Sequence, residues 1–438
     1  VTRPIEAVDP VAVTFASRRA DDRFFCWEEP SRAGFAIGAI GAAHEIVSRG
    51  ADRVADLVRD STAFAAGRLA EEPPSLPPGF GPLWVGGMAF RPDGGSGPQW
   101  ASLPPALLVL PELLLSRHEG ECAITVCAAA GGSRSSEEIV ASARSRLAGL
   151  RTLGLPPLEP HPRGGIAVEG ARPPAHYERA VAEAVETIRS GAARKLVLAR
   201  EVRVDAPSAH SAPALFGTLR ALFDSCFCFC CGTPEAAFIG ASPELLVRRD
   251  GAGAAAVALA GSARRSADPA VDDHLGEQLL HSAKDREEHE IVARRIERRL
   301  DPYSVWVEAA PDPVVIKVAN IQHLATPIRA QLKESHSVLE LAGRLHPTPA
   351  VGAEPGGEGG MRMIAALESL DRGWYAGPVG WMDMAEDGEF CVALRSALLR
   401  DRRAHLFAGA GIVADSDPAT ELAETEVKLD ALLPLLAG

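Results

Sequence analysis

Lys195 opens an apolar run, Leu196-Val-Leu198, and a lysine drawn into a buried strand loses part of the hydration that keeps it charged. Such an amine can act as a general base. Read alone, it is more often a strand-end lysine whose head reaches back to water. Glu244 follows Pro243 at a turn feeding a strand-like run, and taken singly it reads as an exposed turn glutamate. Glu288 shares a helical face with Ile291 and Val292, where a carboxylate is costly unless something positive meets it. Glu421, Glu424 and Lys428 fall at i, i+3 and i+7, one stripe of a 3.6-residue helix. Glu288 and Glu424 are hard oxygen donors of the kind that hold Mg²⁺, which takes one or two protein carboxylates and completes its shell with substrate and water, although helical glutamates are usually solvated and spacing alone does not pair these two.

Other chemistry-like patterns carry less. Cys226, Cys228 and Cys230 alternate with Phe227 and Phe229, a strand period that sends thiols to one face and rings to the other. Zinc sites use C-x₂-C spacing at turns with a second pair elsewhere, so this cluster reads as buried small hydrophobes and no metal is assigned to it. Ala408-Gly-Ala-Gly-Ile412 and the glycines 356–360 form neither a P-loop nor a complete dinucleotide fingerprint. By spacing alone the first reads as a tight turn, with bare backbone that could approach an anion.

The elements that must position these groups are ordinary globular ones. The chain has 438 residues, 47% hydrophobic and 24% charged, with a net charge of −13. That composition supports a sizeable core. The acid excess argues against nucleic acid or an anionic membrane surface as the main partner. Eight cysteines in such a length make no disulfide scaffold, and residues 1–10 show no basic stretch followed by an apolar one. The most apolar stretch, 106–115, is interrupted by Pro111 and Glu112, so a cytoplasmic location is expected.

Length alone gives a prior of roughly three domains. Helical spacing is read over 39–65, 175–190 and 270–300, and a further helix begins at the Asp417 cap with Pro418 at its first position. Strand-like runs occupy 83–90, 195–204, 226–231, 237–240, 245–248 and 314–318, with a short one at 405–407. The Pro/Gly stretch 155–174 is the best candidate linker.

Taken together, ordered segments resemble the chorismate-utilising enzyme family. They are Lys195–Arg200, Gly240–Leu246, Leu259–Arg264, Lys284–Glu290 and His323–Pro327, then Leu345–Ala350, Gly377–Trp381, Ala408–Ile412 and Glu421–Lys428. The resemblance is dense over 174–438. It is thinner over 1–160, where 80–90 is similar to an N-terminal segment of the isochorismate branch. Family members that add ammonia carry Gln where this chain has Lys195, and those that add water carry Lys. The aminodeoxychorismate branch places a lysine where this chain has Ala260. Salicylate synthases share the lysine but read Gly-Thr at Gly261-Ser262 and Gly-Ser at Ala325-Thr326. The pattern therefore resembles isochorismate synthases. Gly352-Ala353 and Leu370 depart from the commoner family residues without touching a catalytic position.

The resemblance implies one large α/β (α+β) body over 1–438, a β-sandwich core wrapped by helices, in which 155–174 is a crossing loop rather than a boundary. It implies Mg²⁺-dependent conversion of chorismate to isochorismate, feeding menaquinone or siderophore synthesis. Lys195 would activate water and Glu244 would protonate the departing C4 hydroxyl. Glu288 and Glu424 would hold Mg²⁺, with Glu421 acting through water. Arg395 and Lys428 would take the side-chain carboxylate, the backbone of Gly261, Ser262, Gly409 and Gly411 would donate N–H groups, and His323 would orient the ring. A monomer without a glutaminase subunit is expected. The alternatives are a salicylate synthase, an anthranilate-type synthase, which Lys195 speaks against, and a catalytically silent chorismate-binding subunit.

Overall fold

The computed structural model describes residues 1–73, 76–130, 135–159, 164–318 and 320–438. Its strands form two antiparallel sheets, one of twelve strands and one of ten. Alternation along the strands explains how they pack. Phe25 and Trp27 join a large apolar cluster that also holds Val85, Val109, Val379 and Phe390 of the ten-stranded sheet. Phe24 and Cys26 point the other way, into a second cluster with Val11, Leu215, Phe216 and Leu436 from helices. The first cluster is therefore the sandwich interior, and the second is the layer between the larger sheet and its helices. The cysteine strand, Phe227–Gly232, obeys the same rule: Cys228 and Cys230 face the helices, while Phe229 and Cys231 face the sandwich interior.

The two halves of the chain interleave in both sheets. Strand Phe24–Glu29 pairs with Phe227–Gly232, and Leu83–Met88 pairs with Pro378–Asp383. No helix among the described residues is long and apolar enough to cross a membrane.

Three sequence expectations are corrected. The helix read over 39–65 exists only as Arg53–Ala66; residues before it form the strands Phe35–Ile40 and His44–Ser48. Strand Phe35–Ile40 is buried on both faces, which removes the polar alternation that would have marked it. The helix read over 270–300 is two, Pro269–His281 and Ala283–Leu300, because Ser282 leaves helical geometry and accepts from the Asp285 N–H as a cap. The glycine run is no turn: strand Arg403–Ile412 continues through it, pairing with Lys195–Asp205. Part of the 155–174 stretch, residues 160–163, lies outside the described residues, and Ala167–Gly170 within it forms a strand against Val202–Asp205.

Candidate active site

Lys195 is the first residue of strand Lys195–Asp205 and is 0% exposed. Its ammonium lies 2.9 Å from Glu288 Oε1, on helix Ala283–Leu300. The two charges meet at ion-pair distance but off hydrogen-bond angles, so Nζ has no well-aligned acceptor. This is the positive partner that a carboxylate on the apolar side of that helix requires, and it answers for both buried charges. Gly411, opposite Val197 in the ladder, borders the pair. A Cβ there would collide with the Glu288 carboxylate and come within 2.9 Å of Lys195 Cε.

Glu244 sits between strands Ala237–Ser242 and Leu245–Asp250 and is 2% exposed, so the exposed-turn reading fails. Its backbone is fixed at both ends: its N–H donates to Ser242 Oγ at 3.2 Å and its carbonyl accepts from Val392 N at 3.0 Å. Burial pushes the carboxyl up to about 8, against the opposing pull of Lys195, the Thr348 hydroxyl and Arg395. Thr348 Oγ1 is 3.5 Å from Oε1. The group is therefore a protonated acid at neutral pH, in the electrostatic reach of a buried lysine.

His323, on strand Ile321–Leu332, contacts three other expected site residues. Nδ1 is 3.1 Å from the Gly261 carbonyl and 3.4 Å from Ser262 Oγ, while Nε2 is 3.2 Å from the Arg395 guanidinium. Arginine can only donate, so Nε2 is the acceptor and the proton resides on Nδ1, donated to Gly261. Burial, with Arg395 and Lys428 nearby, lowers the imidazole to about 3, so it stays neutral. Gly261 has φ +73 at a bulge between Ala260 and Ser262, a conformation that glycine adopts without strain. Arg395 itself is buried and held at φ 47.

Helix Pro418–Leu429 brings the remaining groups. Glu424 and Lys428 pair at 2.6 Å, and Lys428 Nζ also donates to the Gly409 carbonyl at 2.9 Å. Burial acts to raise the Glu424 carboxyl, but Lys428, Lys284 and Arg395 outweigh it and leave it lowered. Glu421 is almost fully buried, and burial together with Glu424 raises its carboxyl. Its oxygen is 3.2 Å from Lys284 Nζ.

Sequence reasoning passed over Lys284, Asp285 and Thr348 as individual residues. Each lay inside a quoted segment, and Lys284 stands one helical turn before Glu288, a spacing that puts both on one face. It also passed over His289, whose Nε2 is 2.7 Å from Thr326 Oγ1 and which fastens the Glu288 helix to the His323 strand.

The donor set suits a hard cation. Glu288, Glu421 and Glu424 offer only carboxylate oxygens, and the Asp285 carboxyl is raised by burial and by Glu288 and Glu424 as well. Each of the three glutamates is balanced by a lysine, Lys195 for Glu288, Lys284 for Glu421 and Lys428 for Glu424. Among the described residues no three His, Cys, Asp or Glu side chains converge tightly enough to bind an ion unaided. Mg²⁺ needs no such cage, since substrate and water complete its octahedron.

Comparison with known proteins agrees with this geometry. The model of the family described as "Chorismate binding enzyme" matches residues 1–437. The "Salicylate biosynthesis isochorismate synthase" of Pseudomonas aeruginosa PAO1 is 37% identical over 99% of this chain and 89% of its own length. "Isochorismate synthase MenF" of Bacillus subtilis 168 is 31% identical over 100% of this chain and 93% of its own. The solved structure of MenF, the menaquinone-specific isochorismate synthase from Escherichia coli, superposes with a TM-score of 0.82 at 27% identity, covering 100% of this chain and 94% of that one. A match running the whole length, over a two-sheet sandwich carrying the family's segments in order, places the chain in the chorismate binding enzyme family.

Proposed function

We propose that the protein is an isochorismate synthase, which adds water at C2 of chorismate and expels the C4 hydroxyl. The observation that carries this reading is the pairing of a buried lysine with a carboxyl held protonated near neutral pH, two titratable groups in opposite roles. Lys195, as the neutral amine left once its ammonium has released a proton to solvent, takes one proton from water as the oxygen bonds to C2. The ring double bonds shift, the C4–O bond breaks, and Glu244 gives its proton to the departing oxygen, which leaves as water. Lys195 has gained a proton and Glu244 has lost one, and the reverse reaction or solvent restores both. His323, neutral with its proton committed to Gly261, holds Arg395 by Nε2, and Arg395 and Lys428 take the side-chain carboxylate of the substrate. Ser262 and the backbone of Gly261, Gly409 and Gly411 line the ring. Glu288 and Glu424 would hold Mg²⁺, with Glu421 through water. When bound, the ion neutralises the ring carboxylate and charge developing on the ring.

The reading is tested by running the reaction in ¹⁸O-labelled water. One labelled oxygen at C2 is expected, and unlabelled isochorismate would exclude water as the nucleophile. A salicylate synthase would share these steps and then eliminate pyruvate; the pattern at Ser262 and Ala325-Thr326 supports the isomerase instead. The names of relatives point to both menaquinone and siderophore routes, and either is served by the same product. The substrate is chorismate, the chain acts as a cytoplasmic monomer, and it needs no glutaminase subunit.

Gly411→Ala should separate stability from activity. The added methyl meets the movable end of Glu288, so the unfolding free energy should fall little, by about 1 kcal/mol or less. Displacing that carboxylate should raise the Mg²⁺ concentration needed for half-maximal rate by roughly tenfold. An unchanged Mg²⁺ requirement would remove Glu288 from the metal site.

The same reading takes residues 1–438 as one folding unit, supported by strand pairs that cross from 1–160 to the signature-bearing part, 174–438, in both sheets. Residues 174–438 expressed alone should aggregate, because strands Phe227–Gly232 and Pro378–Asp383 would each lose a neighbour and expose an edge. A soluble fragment with a cooperative thermal transition would divide the chain into two units.

A further inference from the structure

A cavity of about 200 Å³ opens where strand Lys195–Asp205 lacks a neighbour on one edge. Lys195 and Leu196 pair with Ala353–Glu354, and Val202–Asp205 pair with Ala167–Gly170. The stretch between them, Leu198 to Glu201, lines the cavity, and none of the residues assigned above to the active site does.

The acids in its wall are already committed. Glu368 accepts from Ala199 N at 2.6 Å and from Arg372 Nε at 3.0 Å. Asp371 accepts the backbone N–H groups of Gly95, Gly97 and Gly373. Glu201 pairs with His405 and Arg203, each at 2.8 Å. Of the arginines in the wall Arg203 is thus committed, whereas Arg172 and Arg200 are not. Arg172 has no ion-pair or side-chain hydrogen-bond partner among the described residues. The Arg200 side chain is only 14% exposed, yet it has just the Thr425 hydroxyl at 3.1 Å and the outlying Glu426 carboxylate at 3.7 Å. A guanidinium has five N–H donors, so both arginines hold donors in reserve. Beneath them the wall is apolar and buried, formed by Leu198, Ala180 and the ring of Tyr177.

We infer that this cavity is a second ligand site, which takes a small aromatic carboxylate. Guanidinium groups match a carboxylate in a bidentate fork, and the apolar floor accepts a ring. The volume is below the roughly 300–1,000 Å³ that drug-sized ligands occupy, and suits one ring with its carboxylate. Occupancy would draw Arg200 away from Thr425 and Glu426, on the helix that carries Glu421, Glu424 and Lys428. The ligand would thus bias the helix of the proposed metal carboxylates, and by reciprocity Mg²⁺ would alter its affinity.

The test is calorimetric titration of the full chain with benzoate, which needs no turnover and so stands or falls apart from the proposed reaction. Binding with a Kd below about 1 mM is expected, weakened roughly tenfold in Arg172→Ala, with kcat/KM for chorismate unchanged in that variant. Arg395→Met, altered in the active site, should bind benzoate as the unmodified protein does. Three results would overturn the inference: no binding at about 10 mM benzoate, loss of binding in Arg395→Met but not in Arg172→Ala, or equal affinity for inorganic phosphate, which has no ring to bury.

Discussion

Glu244→Gln should abolish turnover and, above neutral pH, make the protein more stable. The loss of the proton donor is expected to cost on the order of 10²–10⁴ in kcat, while chorismate binding survives because the amide keeps the shape of the acid. The stability effect follows from the raised carboxyl. Its folded value, about 8, exceeds the ordinary 4.5, so the folded state holds this proton more tightly than the unfolded chain does. The stabilisation is fully present below pH 4.5 and is lost as pH rises through 8. Above that point the buried charge costs on the order of 5 kcal/mol relative to a neutral isostere. Glutamine has no proton to lose. Urea unfolding of both proteins at pH 5 and pH 8.5 should therefore show near parity at the lower pH and a more stable variant at the higher one. Parallel curves would mean that Glu244 is ionised in the folded protein and cannot be the acid. The same titration predicts that the rate of the unmodified enzyme falls as pH passes 8.

Lys195→Gln should also remove hydration, by a comparable factor, and its second effect depends on metal. The ammonium is the only cation within ion-pair distance of Glu288 among the described residues. Without it, a carboxylate on the apolar side of its helix loses its counter-charge, a defect worth about 3 kcal/mol at a site this enclosed. In EDTA the variant should melt well below the unmodified protein. Mg²⁺ at Glu288 would replace the missing charge, so the gap should narrow on adding the ion. With the lysine gone its place is open to ammonium, and aminated product is looked for in the same assay. Retained isochorismate formation, or a melting gap that Mg²⁺ leaves unchanged, would contradict the roles given to this pair.

Much of this site could be read along the chain, because its helices announce themselves locally. Asp417 caps helix Pro418–Leu429 by accepting from Thr420 N, as the Asp-Pro start suggests, and the stripe of Glu421, Glu424 and Lys428 follows from 3.6-residue geometry. The carboxylate of Glu288 on an apolar face called for a cation. Which cation answered it was not legible, since Lys195 lies on a strand far away in sequence and only the sheet brings the two together. The burial of Glu244 was hidden for the same reason: its turn is covered by strand Gly388–Val392 and by Thr348, which are contacts of tertiary structure.

The fold was misread where local composition mimicked another element. The alanines and apolar residues that open the stretch 39–65 resemble a helix, but residues 39–40 end the strand Phe35–Ile40, buried on both faces and so without alternation, and His44–Ser48 is a second strand. Gly409 and Gly411 look like turn residues. They sit in an extended strand because bare backbone is needed beside Lys195, Glu288 and the Leu198 carbonyl. The break at Ser282 carried its own signal, a serine three residues before Asp285, in a stretch whose helical period hides it.

The most direct test of the central claim is separation of the products formed when the purified protein meets chorismate and Mg²⁺, with and without ammonium, and with EDTA as control. Isochorismate alone, approaching a fixed ratio to chorismate from either side and vanishing in EDTA, is the expected result. Anthranilate appearing with ammonium, salicylate with stoichiometric pyruvate, or no change in chorismate would contradict it.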